Sequence, residues 1–257
     1  MQSTGFEWLA RAGFVARGLV YVIIGILASK LAIGSGGSNA NQQGALKAIA
    51  HQPFGHVLLV LVAVALGGYA LWRLFRASLG HGPEDEDGTF DRVAAFASSL
   101  VYWGLCALAV EILLSSRSGS AKPHKAAAGV FGWPAGTWLV GAAGAALIGV
   151  GLYQAYRGIS REFLDDSKTG EMDPAVKTWF ESLGVFGYLA RAVVFSLVGV
   201  FVVKAAIDFN PNNAVGLDGA LAKLTHASYG PYMLGVVAAG LVAFGIYSLA
   251  DARYRRI

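Results

Sequence analysis

Apolar residues run along this chain in six long blocks with no interleaved polar face. Residues 126–156 and 227–250 contain no Asp, Glu, Lys or Arg, and each exceeds the roughly 20 residues that a bilayer-spanning helix needs. Residues 93–110 form a similar block, closed by Glu111. The blocks at 9–33, 55–72 and 183–207 are comparable if Arg17, Arg191 and the lysines near their ends are accommodated. A soluble helical bundle would carry polar faces at helical period; these blocks carry none. The pattern predicts an all-α integral membrane protein with six transmembrane helices.

The six blocks are three copies of one unit, found by sliding the sequence over itself by about 81 and 174 residues. Residues 13–21 match 187–195, with Ala16 and Arg17 recurring as Ala190 and Arg191. Gly44, Ala45 and Leu46, then His51 and Gly55, recur as Gly219, Ala220, Leu221, His226 and Gly230. The chain is thus expected to comprise repeat 1 (1–80), repeat 2 (90–160) and repeat 3 (179–257) in a pseudo-threefold arrangement. Linkers 81–89 and 161–178 join them as charged, solvated connections. Each unit reads as a long helix, an outer loop, a short helix at the membrane surface and a second long helix. In the first unit the short segment puts Ala45, Leu46, Ile49 and Ala50 on one face, as interfacial helices do. The second copy is the weakest: Ser98 stands where the others have arginine, and it lacks the Gln52-Pro53-Phe54-Gly55 lead into the second helix.

Composition agrees. Hydrophobic residues make up 55% of the chain and charged ones 14%, with mean hydropathy +0.54, where soluble domains carry about 25% charged residues. The first apolar block is too long for a cleaved leader and is expected to remain as a signal anchor. Cys106 is the single cysteine, so neither an intrachain disulfide nor a cysteine zinc site is available. With the termini and both linkers on one side, that side gathers thirteen Lys and Arg residues. The other has seven: Lys30, Lys47, Arg117, Lys122, Lys125, Lys204 and Lys223. The positive-inside rule then places both termini in the cytoplasm. The pI near 9.2 follows from this topology, and no clustered basic surface points to nucleic acid.

Candidate chemistry is sparse. On the first helix of each unit, residues four apart share a face. This gives the stripes Arg17, Tyr21, Gly25; Ser98, Tyr102, Cys106; and Arg191, Phe195, Gly199. Small residues on such a stripe let helices approach closely in lipid, so it is expected to be a packing face. Arg17 and Arg191 lie one to two turns inside the cytoplasmic boundary, where an ionisable group snorkels, bonds a neighbouring helix end or marks a functional site. Arg17, Ser98, Arg191, Tyr21 and Tyr102 are the candidate intramembrane polar site. Lys30, Glu111 and Lys204 occupy equivalent outer positions and form a candidate ionic trio. Thirteen residues at about 100° turn Lys30 some 220° from Arg17, so both cannot point inward, and the lysines are expected to snorkel outward. His51 and His226 match each other, but no carboxylate or cysteine accompanies them to make a metal site. No nucleotide-binding, metalloprotease, nucleophile-elbow or paired-carboxylate motif occurs in a credible context.

The motif at residues 16–21, the pair Ala190 and Arg191, the stretch 44–55 and residues 69–73 are together similar to a bacterial membrane-protein family known as domain of unknown function 1206. The resemblance covers essentially the whole chain and implies a multipass bacterial inner-membrane protein; it brings no activity, cofactor or catalytic residue with it. The expected function is that of a non-enzymatic structural or accessory subunit, with the lipid bilayer and protein partners of a membrane complex around it and no nucleic acid. The alternative is a small-solute or ion pathway where the repeats meet.

Overall fold

A computed structural model of the chain describes residues 4–36, 40–79, 89–114, 123–133 and 135–255. Nine α-helices are seen among them: α1 (Thr4–Ala32), α2 (Gln42–Ala50), α3 (Gly55–Leu79), α4 (Thr89–Leu114), α5 (Pro123–Phe131), α6 (Gly136–Ser160), α7 (Pro174–Ile207), α8 (Leu217–Leu224) and α9 (Gly230–Tyr254). No β-strand occurs among the described residues. Helices α1, α3, α4, α6, α7 and α9 each carry a stretch long and apolar enough to cross a membrane. They alternate with the short helices α2, α5 and α8, so the helix–loop–short helix–helix unit is repeated three times. The acidic linker lies outside the described residues, apart from Thr89.

The long helices pair across repeat boundaries. The first helix of each unit packs most extensively on the second helix of another: α1 on α9, α4 on α3 and α7 on α6. Each pair crosses at two equivalent points. In α1·α9, a Cβ on Gly18 would lie 2.8 Å from Gly245 O, and one on Gly25 would lie 2.9 Å from Ala238 O. In α7·α6, a Cβ on Gly151 would lie 2.9 Å from Ala192 O, and one on Gly199 would lie 2.7 Å from Gly144 O. In α4·α3 the small residues are replaced by donors: Ser99 Oγ donates to Ala70 O at 2.9 Å and Cys106 Sγ to Ala63 O at 3.3 Å. Lipid offers no hydrophobic drive for helices to associate, so close backbone approach and interhelical hydrogen bonds must hold these contacts.

The pairs join side by side through α1·α3 and α7·α9, whereas α4 and α6 do not pack against each other to any comparable extent. The ring of six is therefore open within the second repeat. Buried fractions follow from this: 11% of the spanning window in α4 and 22% in α6, against 50% in α1 and α3 and 56% in α9.

The second long helix of each unit starts with one turn. Phe54, Ala135 and Tyr229 sit at φ 61°, 62° and 61°, in the left-handed region, which costs a non-glycine residue about 1 kcal/mol or more. Each is followed by a glycine, Gly55, Gly136 or Gly230, whose missing Cβ would collide with the carbonyl of Ala50, Val130 or Leu224. Repeat 2 lacks the Gln-Pro-Phe-Gly sequence, yet Ala135 and Gly136 keep the same turn although the sequence around them has drifted.

The second linker departs from expectation. It is not a solvated connection, because Phe163, Ser167 and Met172 are buried. Phe163 stacks on Tyr188 at 5.1 Å between ring centroids and meets Tyr247 edge-on at 5.3 Å. Lys168 N donates to Tyr254 O at 2.7 Å. The buried ring ties α7 to α9.

Candidate intramembrane arginine sites

Arg17 and Arg191 hold equivalent places in two of the helix pairs, and their surroundings differ in charge. Arg17 is buried on α1 and faces α9. Its Nε donates to Ser248 Oγ at 3.1 Å, Nη1 to Tyr69 Oη at 3.3 Å, and Nη2 lies 3.5 Å from Asp251 Oδ2. Rings of Phe14 and Phe244 lie 4.7 and 5.4 Å from its guanidinium carbon, within cation–π range. Asp251 is fully buried and is shared. Ser167 Oγ donates to its Oδ1 at 3.0 Å, and Arg255 Nη1 approaches Oδ2 at 3.5 Å. Arg255 Nη2 also meets Asp166 Oδ2 at 2.9 Å, and Arg157 Nη2 meets the same oxygen at 2.6 Å. Burial works against the charge on Arg255, but Asp251 and Asp166 outweigh it and push its pKa above the ordinary value. Tyr69 Oη accepts from Arg73 Nε at 3.1 Å as well as from Arg17. Arg11 Nη1 donates to the carbonyls of Ala252 and Arg253, which brings the two ends of the chain to the same face.

Arg191 occupies the corresponding place on α7, facing α6. Gln154, at the position of Ser248, accepts from Arg191 Nη1 at 3.1 Å and Nη2 at 2.8 Å when its amide oxygen is turned to the guanidinium. Phe244, Tyr21 and Phe195 lie 4.3, 5.2 and 5.4 Å from the guanidinium carbon. Where Arg17 has Asp251, Arg191 has Arg157, already paired with Asp166. Among the described residues no carboxylate pairs with Arg191, and its buried Nε has no hydrogen-bond partner.

The other sequence candidates divide. Tyr21 packs edge-on against Phe244 at 4.8 Å and lies under Arg191. Tyr102 of α4 packs on Tyr69 at 4.4 Å. The two tyrosines thus line the same central region as the arginines, and both stay partly accessible. Ser98 is also partly accessible and makes no hydrogen bond among the described residues; its neighbour Ser99 makes the interhelical one. Lys30, Glu111 and Lys204 are all exposed, and among the described residues no ion pair joins either lysine to Glu111. His51 caps α2 and His226 follows the cap of α8, with Nδ1 at 2.7 Å from Lys47 O and 3.0 Å from Ala222 O. Among the described residues no group of three His, Cys, Asp or Glu side chains comes together in a way that could hold a metal ion.

Sequence reasoning missed the partners: Ser248, Asp251, Gln154, Asp166 and Tyr69. One signal was there to be read. The position that carries Arg76 and Arg157 in the first two units carries Asp251 in the third, and a reversal of charge at a repeated position marks where an ion pair has formed.

The model of the family described as Domain of Unknown Function (DUF1206) matches the chain three times, over residues 12–80, 93–161 and 186–255. The chain is also similar to "Uncharacterized protein YxxB" of Bacillus subtilis (strain 168), 30% identical over 250 residues that cover 96% of this chain and 90% of the relative. No solved structure matches.

Proposed function

The chain belongs to the DUF1206 family, and from that premise we propose that it is a non-enzymatic accessory subunit of a bacterial inner-membrane assembly, with its termini in the cytoplasm. It docks the transmembrane helices of a partner along α4 and α6. The observation that carries this reading is how little those two helices are enclosed. Small residues face outward on both: Ala97, Gly104 and Ala107 on α4, and Ala142, Ala145, Ala146 and Gly149 on α6 are exposed. No atom outside their own helix turns comes within 4 Å of a Cβ placed on Gly104 or Gly149. In lipid, outward small residues are suited to close helix contact. The clustered charged side chains support the non-enzymatic part, because Arg17, Asp251, Arg255, Asp166 and Arg157 are engaged with one another. The cytoplasmic placement rests on the excess of Lys and Arg on the face that holds Arg11 and Arg253.

A solute pathway has weaker support. Two recesses, of about 330 and 580 Å³, are apolar grooves lined by exposed residues such as Val64 and Trp103 in one and Tyr232 and Val236 in the other. Neither includes Arg17, Arg191, Tyr21 or Tyr102. Photo-crosslinking in intact membranes tests the accessory role. A crosslinker at Gly104 or Gly149 is expected to give one discrete protein adduct, and a crosslinker at Val236, exposed on α9, is expected to give none. Purification as a lone monomer, without adducts at either glycine, would overturn the proposal.

A further inference from the structure

Arg191 presents a chemistry that no other side chain completes. A guanidinium has five N–H donors, and Gln154 receives two of them, through Nη1 and Nη2. Among the described residues its buried Nε has no acceptor, and the second N–H of each Nη has none beyond Gln154. The carboxylates of the cluster around Arg17 and Arg157 are committed elsewhere, Asp166 to Arg157 and Arg255, and Asp251 to Arg17 and Arg255. Three more arginines, Arg17, Arg157 and Arg255, therefore share two carboxylates a short distance away, and the local field favours an anion. The edge left free is the side-on one, formed by Nε and an Nη, which matches the two oxygens of a carboxylate or phosphate. Arg191 is partly exposed, as are Tyr21, Tyr102, Phe195 and Ser98. All lie on the faces of α1, α4 and α7 that converge at the centre, and the ring around that centre is open between α4 and α6.

We propose that Arg191 is an anion-binding site, in which an oxyanion supplied from outside the chain takes the place that Asp251 holds beside Arg17. Gln154 fixes the guanidinium, the faces of Phe244 and Phe195 shield it from the hydrocarbon, and the ligand accepts from the free Nη donors and, after a small turn of the guanidinium, from Nε. The ligand's shared chemistry is a carboxylate or phosphate oxygen pair. Its source is either the head of an anionic lipid reaching in from the bilayer or a free anion reaching in from water. The proposal stands on Arg191 and Gln154 alone and is independent of any partner on α4 and α6.

Native mass spectrometry of the full chain from nanodiscs holding phosphatidylglycerol and phosphatidylcholine in equal amounts reads the lipid source. Thermal unfolding in detergent with and without inorganic phosphate reads the soluble one. Wild type is expected to retain phosphatidylglycerol over phosphatidylcholine by about tenfold, the strength of one charge-assisted hydrogen-bond pair, or to be stabilised by phosphate. The first outcome assigns the site to lipid and the second to a free anion. R191Q is expected to lose whichever effect is seen. Q154E keeps the arginine and supplies an internal carboxylate, so it is expected to lose the effect too while raising the unfolding temperature. K30Q and K204Q, which remove exposed charges, are expected to change nothing. Equal behaviour of wild type, R191Q and Q154E would overturn the proposal, as would loss of the effect in K30Q or K204Q alone.

Discussion

Arg17 and Arg191 descend from one position of the repeat and have come to opposite electrostatic solutions. Arg17 is neutralised by Asp251 and held by Ser248 and Tyr69; Arg191 has an amide and aromatic faces but no carboxylate. Removing one member of a buried ion pair leaves the other charge uncompensated, at about 3 kcal/mol or more. Asp251→Asn is therefore expected to lower the unfolding temperature in detergent markedly, because both Arg17 and Arg255 lose their shared acceptor. Arg191→Gln deletes a charge that has no carboxylate partner among the described residues, and the same measurement is expected to move by about 1 kcal/mol or less, in either direction. A larger loss in Arg191→Gln than in Asp251→Asn would refute this account of the two sites. The sequence made Arg17, Arg191, Tyr21 and Tyr102 visible, since charge and repetition single them out within apolar blocks. It hid Ser248 and Gln154, ordinary polar residues that become ligands only when α9 and α6 are placed against α1 and α7.

Helix starts and crossings are governed by atoms that are missing. A Cβ on Gly136 or Gly230 would drive into the carbonyl of Val130 or Leu224, and backbone cannot step aside as a side-chain tip does. Gly136→Ala and Gly230→Ala are each expected to cost about 2 kcal/mol or more, in the range of overpacked sites, read as loss of folded yield and earlier thermal unfolding. Gly149→Ala, where the space is open, is expected to stay within about 0.5 kcal/mol of wild type. Ser99→Ala removes the bond to Ala70 O and is expected to cost about 0.6 kcal/mol, typical of interhelical bonds in bilayers. Spans and short helices were legible because length and apolarity dictate them in a bilayer. The turn in repeat 2 was not, because it depends on a left-handed residue and a following glycine, and Ala135 does not advertise its φ. The second linker misled for a related reason. Its charges suggested solvent, but Phe163 and Met172 decide where it sits.

At the scale of the whole molecule, the three repeats predicted a pseudo-threefold arrangement, and the structure adds that the ring of six helices is open between α4 and α6. Repetition in sequence reports which units are alike, not which of them touch, and α4 and α6, which hardly meet, both belong to the copy whose sequence differs most from the other two. Replacing Gly149 with Leu is expected to leave the unfolding temperature of the isolated chain unchanged and to abolish the crosslinked adduct formed from Gly104, if α4 and α6 share one partner. Loss of stability in that variant would mean that α6 is already covered within the protein. The pairing of α1 with α9 also has a consequence for synthesis. Arg17 is inserted with the first helix, whereas Asp251 and Ser248 are made at the end of the chain. At about 5–20 residues per second, the arginine waits roughly 10–50 s for its acceptors. During that interval the first helix lacks the acceptors that α9 supplies to Arg17, so a chain truncated before α9 is expected to accumulate in the membrane at lower yield than the full chain.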